Sequence, residues 1–222
     1  MNGVSQHFSD RREAGRQLAV EVAALKLVEP VVLALPRGGV PVGFEVAKAL
    51  GAPLDILLVR KIGAPGHEEY GIGALVDGAA PHVVIDEAAA RMVGADRAYI
   101  DRQVARQLEE IERRRAAYRT GAPVPLKGRF VIVVDDGIAT GGTVRAALKA
   151  LAKADPAQIV LAVPVAPHDT LVELRSLCDD IVCLSSPEPF YAVGAHYRDF
   201  TQTEDNEVVR LLAAAKALVP GG

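Results

Sequence analysis

The segment VIVVDDGIATGGT, residues 131–143, decides the fold of this chain. Its first four residues are apolar β-formers without alternation, a pattern typical of a parallel strand buried on both faces. A glycine- and threonine-rich loop follows and leads into a predicted helix over residues 144–154. Consecutive backbone N–H groups of such a loop can converge on one anion at the positive end of the helix. The pattern therefore predicts a phosphate site. Its glycines and threonines are Gly137, Thr140, Gly141, Gly142 and Thr143.

Two adjacent carboxylates, Asp135 and Asp136, stand between the strand and the loop. They would repel a phosphate unless another group lay between them and it. A ribose fits there, because its neighbouring hydroxyls can donate to the carboxylates while the phosphate on its 5′ carbon enters the loop. The lysine of the GxxxxGK[ST] motif is missing, and the segment does not read GxGxxG. We therefore predict a ribose 5-phosphate ligand; an ordinary buried strand and glycine turn is the simpler alternative.

Strands and helices alternate along the rest of the chain, which indicates a parallel sheet with helices on both faces. The further predicted strands cover residues 31–36, 54–62, 82–86, 158–166 and 180–186. The further predicted helices cover a segment capped by Ser9 and ending near Lys26, then 40–50, 87–118, 169–177 and 204–218. We expect an α/β fold with a doubly wound, mostly parallel sheet, a long extra helix at 87–118, and a small hood from the two termini. Ligands of such sheets bind beyond the carboxyl ends of the strands.

Length and composition fit one domain over residues 1–222, with its core at about 31–186. Half of the residues are hydrophobic, and the formal net charge is −3. This charge gives no reason to expect nucleic acid or an anionic membrane surface as a partner. Cys178 and Cys183 are too few for a disulfide scaffold, so we expect buried, reduced thiols. Since no targeting segment or membrane-spanning run is visible, we expect a cytoplasmic protein.

Basic residues stand at the ends of two further predicted strands. Arg37 is followed by Gly38 and Gly39, and such a turn can offer backbone N–H groups to an anion. Arg60 and Lys61 end the next strand, where a guanidinium fork and an ammonium can neutralise two phosphates. A plain helix-entry turn and a surface-charged strand end are the simpler alternatives. These strand ends favour a ligand that carries more than one phosphate.

These residues resemble the type I phosphoribosyltransferases. The fingerprint of that family for 5-phosphoribosyl 1-diphosphate (PRPP) is four hydrophobic residues, two acidic residues and a short Thr/Gly loop. Residues 131–143 match it at every position, and DDGIATGGT is most similar to the adenine type. The hypoxanthine-guanine type carries an Asp where this chain has Ala139. The resemblance covers residues 31–186 but not the long helix at 87–118.

The resemblance implies a role for each matching residue. Asp135 and Asp136 would hold the ribose hydroxyls and act in catalysis. The 5′-phosphate would be bound by Ala139, Thr140, Gly141, Gly142 and Thr143. The leaving diphosphate would be bound by Arg37, Gly38, Arg60 and Lys61. The segment at Arg37 resembles the family's pyrophosphate loop, so a non-proline cis peptide is expected at Pro36-Arg37 or Arg37-Gly38.

The glycine-rich segment GAPGHEEYGIG, residues 63–73, is expected to be a mobile loop that closes over the ligand. The family has a flexible loop at this point, and its adenine type carries Glu-Tyr-Gly there, as Glu69-Tyr70-Gly71 does here. The resemblance therefore makes Glu69 the proton donor or acceptor to the base, although the segment is shorter than in that type. His67 is either a further acid-base group or a solvent-exposed loop histidine.

Aromatic residues concentrate in SSPEPFYAVGAHYRDF, residues 185–200, which we call the aromatic segment. In a chain with only 5% aromatic residues, this enrichment predicts a hood in which one ring stacks on a flat ligand. Phe190 and Tyr191 are the candidate rings. Packing of the rings into a small core is an equal alternative.

The activity implied by the resemblance is transfer of the 5-phosphoribosyl group of PRPP to a nitrogenous base, with release of diphosphate. Mg²⁺ is expected on the diphosphate and ribose oxygens, without an all-protein metal cage. A role in purine salvage and a homodimer would fit the family. Two alternatives stay open. One is a non-catalytic regulatory protein that senses PRPP or a nucleotide, and the other is an enzyme that hydrolyses or phosphorolyses a nucleotide.

Overall fold

The computed structural model describes residues 7–77, 81–118 and 123–218 of the chain. The strands are β1 (Val31–Ala34), β2 (Leu54–Ile56), β3 (Val59–Ala64), β4 (His67–Val76), β5 (His82–Ile85), β6 (Phe130–Val134), β7 (Gln158–Val165) and β8 (Asp180–Ser185). Five of them form a parallel sheet in the order β2-β1-β6-β7-β8. The other three form an antiparallel sheet in the order β3-β4-β5. The predicted mostly parallel sheet is confirmed, and the small antiparallel sheet is an addition to it.

Helices cover both faces of the parallel sheet, as predicted. They are α1 (Arg11–Ala23), α2 (Gly39–Leu50), α3 (Glu87–Met92), α4 (Arg97–Tyr118), α5 (Gly142–Leu151), α6 (His168–Leu174) and α7 (Asp205–Lys216). Val32 and Ile132 pack with α1, α2 and α7, whereas Val31 and Val133 pack with α5 on the other face. Neighbouring residues of a strand point to opposite faces, so an apolar run without alternation serves two cores. Within the described ranges, no helix combines the length and apolar character needed to cross a membrane.

The start of α1 differs from the prediction. The cap is Asp10 and not Ser9, because the Asp10 side chain accepts the Glu13 backbone N–H at 2.8 Å. Ser9 instead donates its own N–H to the Glu13 carboxylate. The helix ends at Ala23, before the predicted Lys26, which lies at a left-handed φ of 52°. Asp and Ser satisfy a helix start equally well, so the pattern alone did not choose between them.

The segment predicted as one strand over residues 54–62 divides between the two sheets. Its first half is β2 of the parallel sheet, and its second half is β3 of the antiparallel sheet. The chain changes sheets where the Leu57 N–H donates to the Ala34 carbonyl and the Leu58 carbonyl accepts the Asp77 N–H. The prediction of one strand was wrong because residues 54–62 contain no glycine or proline to mark the change of sheet, and only the pairing partners distinguish the two halves.

The glycine-rich segment over residues 63–73 is mostly a β-hairpin rather than an open loop. β3 and β4 pair antiparallel along it, with an irregular register around Gly63. Helix α4 packs on the hairpin, since the Tyr99 hydroxyl donates to the Gly63 carbonyl at 2.9 Å and Arg106 lies 3.6 Å from Glu68. The expected open loop was wrong because the two halves of the segment pair with each other, as Gly63 with Gly71 and Ala64 with His67, and so satisfy their own backbone groups.

The long helix predicted over residues 87–118 is interrupted. Gly94, with a left-handed φ of 68°, separates α3 from α4. Asp96 then starts the second helix by accepting the Tyr99 N–H at 2.7 Å. Glycine adopts this conformation without steric cost, and an Asp shortly after it provides a new cap. The extra helix is therefore two helices.

The other predicted elements are present with shifted ends. The first strand ends at Ala34, and α5 begins at Gly142, two residues before its predicted start. The last turns of the helices predicted over 144–154 and 169–177 are 3-10 helices, Ala152–Ala154 and Arg175–Leu177. Shifts of this size are expected where helices and strands fray into turns.

The aromatic segment folds together with the start of the chain. The Phe8 N–H donates to the His196 carbonyl at 2.9 Å, and the Arg198 N–H donates to the Phe8 carbonyl at 2.8 Å. Phe8 and Tyr197 are buried in one small cluster with Val165. The hood is thus built from both ends of the described chain, and some of its rings form a core of their own.

Cys178 and Cys183 are free, half-buried thiols. The Sγ atoms lie 3.6 Å and 3.2 Å from backbone carbonyls of Leu174 and Ser185. Burial raises the pKa of both thiols, that of Cys178 to about 11. The two residues are therefore protonated and unreactive near neutral pH, in agreement with the expected reduced state.

His196 is a buried titratable group of the hood. Its side chain is buried, its ring stacks on Phe190 with centroids 5.4 Å apart, and neither ring nitrogen has a hydrogen-bond partner in the described chain. Burial, and to a smaller extent His7, lowers the pKa of His196 from 6.5. The unfolded chain then binds the proton more readily than the folded one. The stability from the neutral ring is complete above about pH 6.5 and is lost as the pH falls towards the folded-state pKa.

We expect His196→Phe to remove this pH dependence, because the phenyl ring keeps the stack and cannot take up a proton. Urea unfolding at roughly pH 7.5 and roughly pH 5.5 measures the change in the free energy of unfolding with pH. On going to the lower pH, wild type should lose more free energy of unfolding than His196→Phe does. The exposed His67 gives a matched control, and His67→Phe should behave as wild type. An equal loss in all three proteins would show that His196 is not the titrating group.

Candidate functional site

The carboxyl ends of β1 and β6 bring two loops into contact. Ala34 and Val134 are paired at the ends of these neighbouring strands, and the Leu35 N–H donates to the Val134 carbonyl at 2.9 Å. The loop over residues 35–38, here called the β1 loop, then runs against the residues that follow β6. A Cβ on Gly38 would overlap the Asp136 carboxylate. The backbone can approach this closely only because residue 38 is glycine.

Asp135 and Asp136, here called the acidic pair, lie side by side at the end of β6. Oδ1 of Asp135 accepts the backbone N–H of Asp136 at 2.9 Å. Burial, and then the charge of Asp136, raises the pKa of Asp135 well above its ordinary value. Burial also raises the pKa of Asp136, against the opposing hydrogen bond from Arg11. Two buried like charges favour ligand groups that donate hydrogen bonds, such as the hydroxyls of a diol.

Arg11, the first residue of α1, binds the acidic pair. The sequence patterns did not predict this contact. Its Nε donates to Oδ2 of Asp136 at 2.7 Å, and the two side chains are only 11% and 14% exposed. Its Nη1 donates to the Thr201 carbonyl at 2.7 Å, and its guanidinium lies 3.9 Å from the centroid of the Phe200 ring. One signal was available, because Arg11 and Arg12 stand in the first turn of a helix, where the helix dipole disfavours cations.

The loop over residues 137–143, here called the glycine loop, ends at a helix start that no described side chain caps. Gly141 stands at this start with a left-handed φ of 74°, and the first backbone bond of α5 runs from the Arg145 N–H to the Gly141 carbonyl. The preceding N–H groups therefore have no partner within the helix and lie at the positive end of its dipole. The predicted phosphate residues 139–143 all lie here, and Thr140 is exposed.

The two basic residues of β3 point in opposite directions, as neighbours in a strand do. Lys61 reaches the glycine loop, since its Cε would lie 3.7 Å from a Cβ on Gly142. Arg60 turns to α4, where its Nε donates to Oε1 of Gln107 at 2.9 Å. Burial is the main cause that lowers the pKa of Arg60. The structure thus brings Lys61 to the loop and places the Arg60 guanidinium beside α4.

The β1 loop contains the cis peptide predicted for it, between Pro36 and Arg37. The Arg37 side chain lies beside α7, with Nη1 3.5 Å from Oδ1 of Asp205. The Tyr118 hydroxyl donates to the same carboxylate, and burial together with this bond raises the pKa of Tyr118 to about 12. Both members of the Arg37–Asp205 pair are partly exposed, so the pair is weak and Arg37 can exchange it for an anionic ligand.

Glu69, the predicted acid-base residue, belongs to strand β4, and its side chain lies outside the described part of the chain. The adjacent Glu68 and Tyr70 are exposed to solvent. The hairpin that holds them packs against α4. Contact between Glu69 and a base therefore stays a prediction.

The aromatic segment contacts the acidic pair through Tyr197, and stacking of Phe190 or Tyr191 on a ligand stays a prediction. Phe190 is stacked on His196, and Tyr191 is 83% exposed. Tyr197 touches the acidic pair instead, because its hydroxyl donates to the backbone carbonyl of Asp136. Burial, and then the charge of Asp136, raises the pKa of Tyr197, so this hydroxyl keeps its proton. The hood therefore contacts the site through Tyr197.

Comparison with known proteins agrees with this geometry. Residues 12–198 match the family model described as "Phosphoribosyl transferase domain". Proteins from two Mycobacterium tuberculosis strains, each named "Putative phosphoribosyl transferase", are 46% identical to this chain over 209 residues. That match covers 94% of this chain and 47% of each relative, so the chain spans about half the length of the curated relatives it matches.

Solved structures include the same fold. A Thermus thermophilus protein matches with a TM-score of 0.82 and 43% identity, over 94% of this chain and 99% of the other. An Aquifex aeolicus protein has a TM-score of 0.50 and 16% identity, over 86% and 82% of the two chains, which shows the fold alone. Because the family model covers more than half of the residues and the Mycobacterium relatives are 46% identical, this chain belongs to the phosphoribosyl transferase domain family.

Proposed function

We propose that the protein transfers the 5-phosphoribosyl group of PRPP to a nitrogenous base and releases diphosphate. The observation that carries this proposal is the close approach of Gly38 in the β1 loop to Asp136, and of Gly39 at the start of α2 to Asp135. The start of α5, which no described side chain caps, follows the acidic pair after the same strand. Carboxylates suit the ribose hydroxyls, and free N–H groups at a helix start suit the 5′-phosphate. PRPP is a pentose with phosphate groups at both ends, so its hydroxyls and its 5′-phosphate can reach the carboxylates and the helix start together.

The acidic pair stabilises the reacting sugar. The bond from C1 to the diphosphate breaks and its electrons leave with the diphosphate, while a base nitrogen forms the new bond to C1 with inversion. Positive charge grows on the ribose in the transition state. Asp135 and Asp136 oppose that charge through the hydroxyls, in a buried setting where electrostatic effects are stronger than in water.

The diphosphate end is assigned to the basic residues and to the β1 loop. Arg37 can leave its weak pair with Asp205 for the diphosphate. Lys61 lies against the glycine loop and Arg60 is directed at α4, so both side chains would have to turn towards the diphosphate. Mg²⁺ is the proposed cofactor and would neutralise part of the diphosphate charge. The carboxylate oxygens of the acidic pair suit this hard cation, which commonly binds through one or two carboxylates together with substrate phosphates.

The acceptor is proposed to be a purine. The similarity of DDGIATGGT and of Glu69-Tyr70-Gly71 to the adenine type supports adenine first, with a role in purine salvage. Glu69 would exchange the proton of the base nitrogen. The free, protonated thiols Cys178 and Cys183 support a reducing, cytoplasmic setting. A homodimer, common in the family, is the proposed assembly.

Product formation from PRPP, Mg²⁺ and a panel of bases tests the proposal. The panel is adenine, guanine, hypoxanthine, xanthine, uracil and orotate, and we expect a nucleotide and diphosphate from adenine. Binding of PRPP without product from any base would identify a sensor. Release of base from a nucleotide without added diphosphate would identify a hydrolase or a phosphorylase. Failure to bind PRPP or ribose 5-phosphate would overturn the proposal.

Asp135→Asn is expected to reduce kcat by roughly 10²- to 10³-fold, because it removes one charge aimed at the transition state. Thermal unfolding should be unchanged or shifted upward, because burial raises the pKa of Asp135 and so disfavours its charged form in the fold. Asp155→Asn removes an exposed carboxylate paired with Lys127 at 3.8 Å and should leave both measurements as in wild type. Full activity of Asp135→Asn would remove this carboxylate from the mechanism.

Lys61→Met is expected to weaken PRPP binding about tenfold, which corresponds to about 1.4 kcal/mol. The reason is the loss of a cation that the structure brings against Gly142 of the glycine loop. Lys149→Met, in the exposed last turn of α5, is the matched control for loss of positive charge. Titration calorimetry measures both variants. Equal weakening by the two variants would show that Lys61 contributes only its long-range charge.

A further inference from the structure

The guanidinium of Arg11 joins parts of the site that are far apart in the chain. It donates to the Asp136 carboxylate at 2.7 Å and to the Thr201 carbonyl at 2.7 Å, and it lies on the Phe200 ring. A Cβ on Gly38 would lie 3.2 Å from its Nε. Helix α1, the β1 loop, the end of β6 and the end of the hood therefore meet at one side chain.

Asp136 is held from two sides by this arrangement. Arg11 donates to the Asp136 carboxylate, and the Tyr197 hydroxyl donates to the backbone carbonyl of the same residue. A guanidinium is rigid and planar, so it sets the direction of a carboxylate as well as balancing its charge. With both partners largely buried, loss of Arg11 would leave an unpaired charge that must turn or take up a proton. The orientation of Asp136 and the docking of the hood thus depend on the same contact.

The neighbouring Arg12 makes contacts of the same kind elsewhere. Its Nη1 lies 2.9 Å from Oε1 of Glu45, and its guanidinium lies 5.3 Å from the centroid of the Phe44 ring. Both partners belong to α2, away from the acidic pair. Arg12 therefore ties α1 to the body of the fold without touching the candidate site, and it provides an internal control for Arg11.

We infer that Arg11 is a positioning residue for the ribose site, which aims the Asp136 carboxylate at the sugar and docks the hood over it. This inference rests on the proposed function, because it assumes that the acidic pair receives a ribose. In this role Arg11 acts through Asp136. Removing it should therefore impair recognition of the sugar and leave recognition of the phosphate, which the glycine loop provides, largely intact.

Titration calorimetry of the full chain with two probes, ribose 5-phosphate and inorganic phosphate, tests the inference. Arg11→Met should weaken binding of ribose 5-phosphate at least tenfold and change binding of inorganic phosphate less than twofold. Arg11→Lys, which keeps the charge and can reach a carboxylate, should recover part of the lost affinity. Arg12→Met should lower the unfolding temperature, as Arg11→Met does, while both probes bind as to wild type.

Several outcomes would overturn the inference. Wild-type affinity for ribose 5-phosphate in Arg11→Met would show that the contact serves stability alone, as would the same loss of affinity in Arg12→Met. Equal weakening of both probes by Arg11→Met would show that Arg11 supplies general positive charge. If Arg11→Met does not fold, Arg11→Lys decides, because unchanged affinity for both probes together with a lowered unfolding temperature would again mean stability alone. Failure of wild type to bind ribose 5-phosphate would instead reject the proposed function.

Discussion

The parallel pairing of β1 with β6 is the constraint on which the candidate site depends. Because Ala34 and Val134 end their strands side by side, the β1 loop and the acidic pair leave the sheet at the same edge. The two backbones then approach so closely that only glycine fits at residue 38 beside Asp136. The β1 loop and the acidic pair are thus held together by strand register. The flanking β2 and β7 keep this register by pairing on either side.

The same contact has an electrostatic cost. Two neighbouring carboxylates lie largely buried at the end of β6, and this burial raises the pKa of both, so that holding two charges there opposes folding. The structure offsets part of this cost with Arg11, which comes from the first turn of α1 against the preference of the helix dipole. Local destabilisation at a ligand site is common, because groups arranged for a ligand are incompletely satisfied without it. The proposed ligand would supply hydroxyl donors to the carboxylates and anionic oxygens to the glycine loop.

The local sequence predicted the elements whose patterns lie within one continuous segment. The buried strand, the acidic pair and the glycine loop occupy thirteen consecutive residues, 131–143, and all have the predicted order. Predictions failed where the partner of a segment mattered. The glycine-rich stretch became a hairpin because β3 and β5 pair with β4, and the segment 54–62 split because its halves joined different sheets. The directions of Arg60 and Lys61 likewise follow from which face of β3 meets α4 and which meets the glycine loop.

By itself, the sequence determined the α/β class, the parallel sheet and the order of strand, acidic pair and glycine loop at the end of β6, because periodicity, loop composition and adjacent charges act over a few residues. Only the tertiary structure decided which distant side chains join the acidic pair. Arg11 and Asp136 are 125 residues apart, and Tyr197 reaches the same aspartate from the other end of the chain. Contacts of this length depend on how all the helices pack on the sheet. No short pattern encodes them, because their free energy comes from many residues at once.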